Sequence, residues 1–250
     1  IRLLDGDGLE QDTEEGRRWL TRAAEGSYAP AMRGLGNRLL DGDGLEQDTE
    51  EGQRWLTKAA EEGDTQAMGI LGLAAYAESD FRSAAENFLN GLQSENASQD
   101  YRGHSANNLL YMKRRGEVPD DISTPADKEI LGTARKSGPK GWVLINTTLC
   151  QAAGLMGLHA NWKTADGLIA RLKLKENWDP DILDWWKKLA DSDDDQDRGE
   201  GNLIVGWLVR HGIIEDPDGQ TAEQRLNDAK ELGWEVPDWM FENPTDETAN

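Results

Sequence analysis

The stretch RLLDGDGLEQDTEEGRRWLTRAAEGSYAPAMRGLGN, Arg2 to Asn37, is followed at once by RLLDGDGLEQDTEEGQRWLTKAAEEGDTQAMGILGL, Arg38 to Leu73. The two copies start 36 positions apart, and their first fifteen residues, Arg2–Gly16 and Arg38–Gly52, are identical. A fixed period of this size marks a stacked array of supersecondary units, none of which can bury its apolar face alone. Within one unit, Ala31, Leu35, Leu39 and Leu40 fall at helical spacing, so Ala31–Asp41 reads as a first helix. Gly42 and Gly44 end it, because glycine reaches the left-handed conformation of a helix C-terminus. Asp48 or Thr49 then supplies an N-cap, with Glu50 and Glu51 favoured in the first turn. The second helix carries Trp55, Leu56, Ala59 and Ala60 on its inner side and stops at Gly63.

The pattern formed by Ala31, Leu35-Gly36, Gly42-x-Gly44, Asp48, Trp55, Ala59-Ala60 and Gly63 resembles the Sel-one-like repeat, a relative of the tetratricopeptide repeat. Leu40, where an aromatic is common, and Gly52, where alanine is usual, depart from it. A helical glycine costs about 1 kcal/mol relative to alanine. The resemblance implies an all-α solenoid of antiparallel helix pairs that binds other proteins, in a family whose members are rarely catalytic.

Beyond residue 75 the pattern diverges. Ala67–Ala77 reads as the first helix of a third unit, with Glu78-Ser79-Asp80 replacing the long DGDGLEQD connection and Phe81–Leu92 as its partner. Gln99–Arg115 reads as a helix with Leu109, Leu110 and Met112 inward. Thr124-Pro125 has the form of an N-cap followed by proline. Trp142–Leu158 is the most apolar segment, Ala165–Leu174 a shorter amphipathic helix, and Asp179-Pro180 the start of another. Sliding the second copy forward by 170 positions puts Gly206 on Gly36, Gly212 on Gly42, Asp218 on Asp48, Leu226 on Leu56, Ala229 on Ala59 and Gly233 on Gly63. Residues 201–234 thus read as a late unit in which Arg225 takes the place of the tryptophan. The expectation is one array over residues 1–234, with 76–200 as divergent units and 240–250 as an acidic, disordered tail. Ile1 falls inside a first helix, so a longer natural chain is expected and a removed leader would fit; bacterial cytoplasm and periplasm both stay open.

The formal charge is -21 over 250 residues, which disfavours nucleic acid, whose phosphates it repels, and suits either a protein partner with a basic surface or plain solubility. No apolar run reaches the roughly 20 residues of a membrane span. Cys150 is the only cysteine, which excludes an internal disulfide and a cysteine zinc site. His104, His159 and His211 form no metal motif, and neither a nucleotide-binding glycine loop nor a nucleophile elbow is present. The DGDG loops fail as calcium loops: counting from Asp41, ligand positions 5 and 12 fall on Leu45 and Gly52. No cofactor is therefore expected, and no enzyme.

Candidate partner-binding residues are of three kinds. Arg33, Asn37 and Asp41, spaced by four, form a stripe on the first helix away from its core. Trp185 and Trp186 lie about 100° apart on a helix, so they cannot share one face, and tryptophan is enriched at interface hot spots. Asp193, Asp194 and Asp195 sit in the densest acidic run, which reads either as a solvated loop or as the seat of a basic partner. The most concrete role is an immunity protein that blocks a secreted antibacterial effector, such as a type VI secretion lipase, since acidic Sel-one-like proteins resemble that group and near-identical copies suggest recent duplication. An adaptor that scaffolds a signalling or envelope complex is the alternative.

Overall fold

The computed structural model describes residues 13–137, 140–153, 155, 160–170, 180–216 and 218–242. Among these residues there are twelve α-helices, one 3-10 turn and no strand. The backbone divides into two compact units, residues 1–139 and 140–250.

The first unit holds α1 (Thr13–Glu25), α2 (Ala29–Asp41), α3 (Thr49–Glu61), α4 (Thr65–Ala77), α5 (Phe81–Gln93), α6 (Gln99–Arg115) and α7 (Asp127–Ser137). Each helix packs chiefly on the next, the mark of consecutive antiparallel pairs. Local chemistry sets the boundaries. Asp48, Asp64, Asp80 and Ser98 cap α3, α4, α5 and α6 by accepting from the backbone N–H of Glu51, Ala67, Ser83 and Tyr101. Gly42 ends α2 at a φ of 70°, as the sequence leads one to expect.

Close helix crossings need glycine for a different reason. A Cβ on Gly36 would stand 2.8 Å from Leu56 Cγ and 2.9 Å from the Gly52 carbonyl oxygen. One on Gly52 would meet the Gly36 carbonyl at 2.9 Å and Leu40 at 3.1 Å. The two departures from the repeat pattern, Leu40 and Gly52, are therefore neighbours: the missing methyl makes room for the leucine. The core here comprises Leu20, Ala31, Met32, Leu35, Leu39 and Leu56 with small residues between them.

The second unit holds α8 (Lys140–Ala153), α9 (Trp162–Ala170), α10 (Pro180–Ala190), α11 (Asp195–Arg210), α12 (Ala222–Glu231) and the 3-10 turn Asp238–Phe241. Its middle is α11, buried without interruption from Gly199 to Leu208, against which Ile145, Leu149, Trp186 and Leu226 pack. Gly201 admits α10: a Cβ there would fall on the backbone of Ala190.

The 170-position offset holds in three dimensions. A Cβ on Gly206 would meet Leu226 as one on Gly36 would meet Leu56, at 3.2 Å and 2.8 Å. Gly212 and Gly233 take left-handed φ of 59° and 96°, matching Gly42 and Gly63 at 70° and 86°. Leu226 and Ala229 are fully buried, like Leu56 and Ala59.

Several boundaries differ from the expectation. α7 begins at Asp127 rather than at Thr124-Pro125, because the Thr124 hydroxyl accepts from Lys113 Nζ at 2.8 Å instead of capping. α8 is described over Lys140–Ala153, and the Leu155 N–H bonds the Cys150 carbonyl; Gly154 and residues 156–158 of the expected apolar segment lie outside the described residues. Met240 is buried and Arg210 donates to the carbonyls of Met240 and Glu242, so residues 240–242 are packed rather than part of a tail. Residues 243–250, Leu172–Leu174 of the expected amphipathic helix and His159 lie outside the described residues.

Candidate protein-binding crevices

In the first unit, two crevices open between second helices, each floored by a first helix. The crevice over α2 runs between α1 and α3, holds about 910 Å³ and has Leu35 and Leu39 in its floor. The one over α4 runs between α3 and α5, holds about 410 Å³ and is floored by Met68, Leu71 and Ala75. They are the same place one repeat apart: Thr21 corresponds to Thr57, Leu35 to Leu71 and Leu39 to Ala75, each 36 positions on. Charge on the walls is mainly negative. Glu14, Glu46, Asp48 and Glu51 against Arg17 line the first, and Glu61 and Glu78 with no Lys or Arg line the second. An apolar floor between carboxylates suits an apolar side chain flanked by cations.

The predicted stripe lies on α2. Arg33 is committed within the chain, its Nε 3.0 Å from Asp64 Oδ2, the carboxylate that also caps α4. Asn37 is half-buried and Asp41 exposed. On α10, Trp186 is fully buried in the second unit's core while Trp185 is 37% exposed, so the pair divides between core and surface as the 100° step requires. In the acidic run, Asp194 is the N-cap of α11 and accepts from the Asp197 N–H at 2.9 Å. Asp195 is paired with Arg198, whose guanidinium also donates to the carbonyls of Ser192 and Asp193. Much of this charge thus organises a helix N-terminus.

Trp55 is expected on the inner side of its helix, and its equivalent in the first copy, Trp19, is on the surface at 57% exposed. Both indoles are held along the helix surface instead. Trp19 Nε1 donates to Glu15 and Trp55 Nε1 to Glu51, each at 3.3 Å, and a cation one turn on covers each ring, Arg22 at 5.8 Å and Lys58 at 4.4 Å. Trp55 alone also packs against the core.

Two buried polar clusters in the second unit were not anticipated. Arg225, in the tryptophan position, reaches Asp216 at 2.8 Å, Asn202 at 2.9 Å, and Asp218. Burial pushes the Asp216 carboxyl up, but Arg225 and the N–H groups of Gln220 and Asp218 outweigh it and hold it below the usual carboxylate range. On α11, Trp207 Nε1 and His211 Nε2 both lie 2.7 Å from Asp166 Oδ1 of α9. Burial again opposes ionisation there, and the hydrogen bonds from His211 and Trp207, with the Arg210 charge, prevail and keep that carboxyl low. Trp207 and His211 sit at i and i+4, a face a reader could have marked; Asp166 lies 45 positions from His211 and carries no local signal. Cys150 is buried. Among the described residues, no group of three or more His, Cys, Asp or Glu is placed to hold a metal, and no helix is long and apolar enough to cross a membrane.

Residues 1–28 and 29–64 each match the Sel1 repeat. The chain opens with two Sel1 repeats. No curated protein matches its sequence. In fold it is similar to c5321, a protective antigen present in uropathogenic Escherichia coli strains displaying an SLR fold, at 21% identity and a TM-score of 0.54. That likeness covers 93% of this chain and 52% of c5321, so the chain spans about half the length of c5321. It is similar as well to a Sel1 repeat protein from Oxalobacter formigenes, at 16% identity and a TM-score of 0.56, over 96% of this chain and 80% of that one. The fold is an all-α solenoid of antiparallel helix pairs, and Sel1 repeats are typically protein-interaction modules.

Proposed function

We propose that this chain is a non-enzymatic protein-binding module whose partner carries a basic surface, and most concretely an immunity protein that holds a secreted antibacterial effector inactive. The observation that carries the reading is the crevice over α4, apolar in its floor and charged only by carboxylates on its walls, with a counterpart one Sel1 repeat earlier whose floor Leu45 closes, in a chain of net charge -21. Electrostatic complementarity of this kind speeds encounter and selects against acidic partners. The fifteen identical positions of the tandem copies fit recent duplication, which suits a binder that must follow a changing effector. The division into two compact units favours a second reading, an adaptor that holds a different protein on each.

Affinity capture with the full chain at low and high salt tests this, followed by calorimetry on what is captured. A single toxic partner bound one to one, and more weakly at high salt, is the expected result. Several partners of modest affinity would establish the adaptor instead. Turnover of a small molecule with no protein partner would overturn both.

A further inference from the structure

The third repeat lacks a cover that the second possesses. On α2, Met32, Leu35 and Leu39 fall at i, i+3 and i+7 and are 6%, 4% and 8% exposed. The connection after α2 folds back beside them. Leu45 packs against their core and lines the crevice, while the Asp48 N–H and Gln47 Nε2 donate to the carbonyls of Leu39 and Leu40 at 2.9 and 2.7 Å. α4 repeats the stripe 36 positions on as Met68, Leu71 and Ala75. Its connection, Glu78-Ser79-Asp80, is too short to carry a counterpart of Leu45, and Met68, Leu71 and Ala75 are only partly buried, Leu71 with one side against the core that Leu45 also touches.

The helix itself is written for burial. TQAMGILGLAAYA contains no charged residue, yet only Thr65, Ala67 and Gly72 are buried. A helix apolar on every side is ordinarily enclosed. The partly open stripe is the floor of the crevice between α3 and α5, whose only charged lining residues are Glu61 and Glu78. Glu61 ends α3 beside the start of α4, and Glu78 follows the end of α4, so the two carboxylates bracket the stripe along its length.

We propose that this stripe seats an amphipathic helix of a partner protein, with apolar residues at i, i+3 and i+7 and a Lys or Arg toward each end. The inference rests on the protein-binding reading above and says where, and by what, that binding occurs. A stripe of this spacing spans about 10.5 Å along the axis, the repeat that a second helix presents when ridges pack into grooves. The bracketing carboxylates call for cations. A second copy of this chain would bring another -21 charges to the same place, which opposes self-association there.

The probe is a labelled helical peptide of about four turns with Leu at i, i+3 and i+7 and Lys at both ends, together with its twin bearing Glu at the ends. Anisotropy with the full chain should show the Lys peptide binding about tenfold or more tighter than the Glu twin. Leu71→Glu and Ala75→Glu should each weaken it by about tenfold, with circular dichroism unchanged. Leu73→Glu, on the exposed opposite side of α4, should leave binding as it was and controls for harm to the helix. No binding of the Lys peptide, equal binding of both peptides, or equal loss in the Leu71 and Leu73 variants overturns the inference. A dimer in sedimentation that Leu71→Glu abolishes also overturns it, by making a second copy the occupant. A captured partner that binds Leu71→Glu undiminished moves the seat elsewhere and leaves the protein-binding reading intact; absence of any captured partner fails that reading itself.

Discussion

Replacing Arg225 by Met should unfold the second unit far more easily, because it strands a buried carboxylate. The Arg225 and Asp216 side chains are 5% and 2% exposed, and the guanidinium gives Asp216 two of its hydrogen bonds, at 2.8 and 3.3 Å. Methionine fills similar space without charge, leaving Asp216 with only the N–H groups of Asp218 and Gln220, at 2.9 and 3.0 Å. Removing one partner of a buried pair costs about 3–5 kcal/mol, a large share of the roughly 5–15 kcal/mol that holds a domain folded. Urea unfolding followed by tryptophan fluorescence is a suitable assay, since eight of the ten tryptophans, Trp142 to Trp239, belong to this unit. The pH dependence gives a second check. Asp216 has a depressed folded-state pKa, so its pairing stabilises fully above the unfolded value of about 3.9 and is lost as pH falls through the folded value. In the variant, burial remains without its compensation, so the deficit against wild type should be largest near neutrality and shrink as pH drops toward 3. Arg225→Trp should destabilise as well, although it restores the residue found at Trp55. A deficit below about 1 kcal/mol at neutral pH, or one that does not change with pH, would refute the buried-pair argument.

Gly36→Ala should cost about 1–3 kcal/mol by overpacking, because the Gly52 carbonyl it would meet at 2.9 Å cannot swing aside; thermal unfolding of the chain measures it. Gly201→Ala should be worse, since its methyl would fall on the Ala190 backbone, and it should lower the yield of folded protein. Trp19→Ala should stay within about 0.5 kcal/mol of wild type, as exposed positions do, whereas Trp55→Ala should cost about 2 kcal/mol by uncovering core; circular dichroism during denaturation separates them. Asp166→Asn should lose about 1–3 kcal/mol at neutral pH by weakening the charge-assisted bonds from Trp207 and His211, with a smaller deficit at acid pH because the depressed carboxyl protonates there in wild type.

Repetition made the fold legible. A 36-residue period, glycines at helix ends and an inward stripe of Leu and Ala are local signals, and each has its counterpart in the fold, down to the late unit found by a 170-position shift. What stayed hidden needed partners distant in sequence. Arg225 looks like the loss of a core tryptophan until Asp216 and Asp218 are seen to enclose it. Asp166 is an ordinary polar residue in a short helix until α11 brings Trp207 and His211 to it. Thr124 has the sequence of a cap, and Lys113 takes its hydroxyl. Arg33, Asn37 and Asp41 all lie on α2, and spacing could not reveal that Arg33 is paired with Asp64.

The second and third repeats show how a binding surface arises without any change in the helices that form it. Positions 32 and 68 are both Met and positions 35 and 71 both Leu, so the floor of each crevice is written in nearly the same letters. Whether that floor is core or surface depends on the connection that follows. Seven residues from Gly42 to Asp48 place Leu45 against the core and tie their backbone to the end of α2. Three residues from Glu78 to Asp80 make a tight turn tied to the Ala75 carbonyl through the Asp80 N–H, and bring no apolar side chain over the stripe. Fully burying a leucine is worth about 1.5–3 kcal/mol, so an array that leaves Leu71 and Met68 only partly buried forgoes a fraction of the stability that its neighbouring repeat retains. That forgone stability is available to whatever helix closes the crevice, which ties the shortened connection to binding rather than to folding.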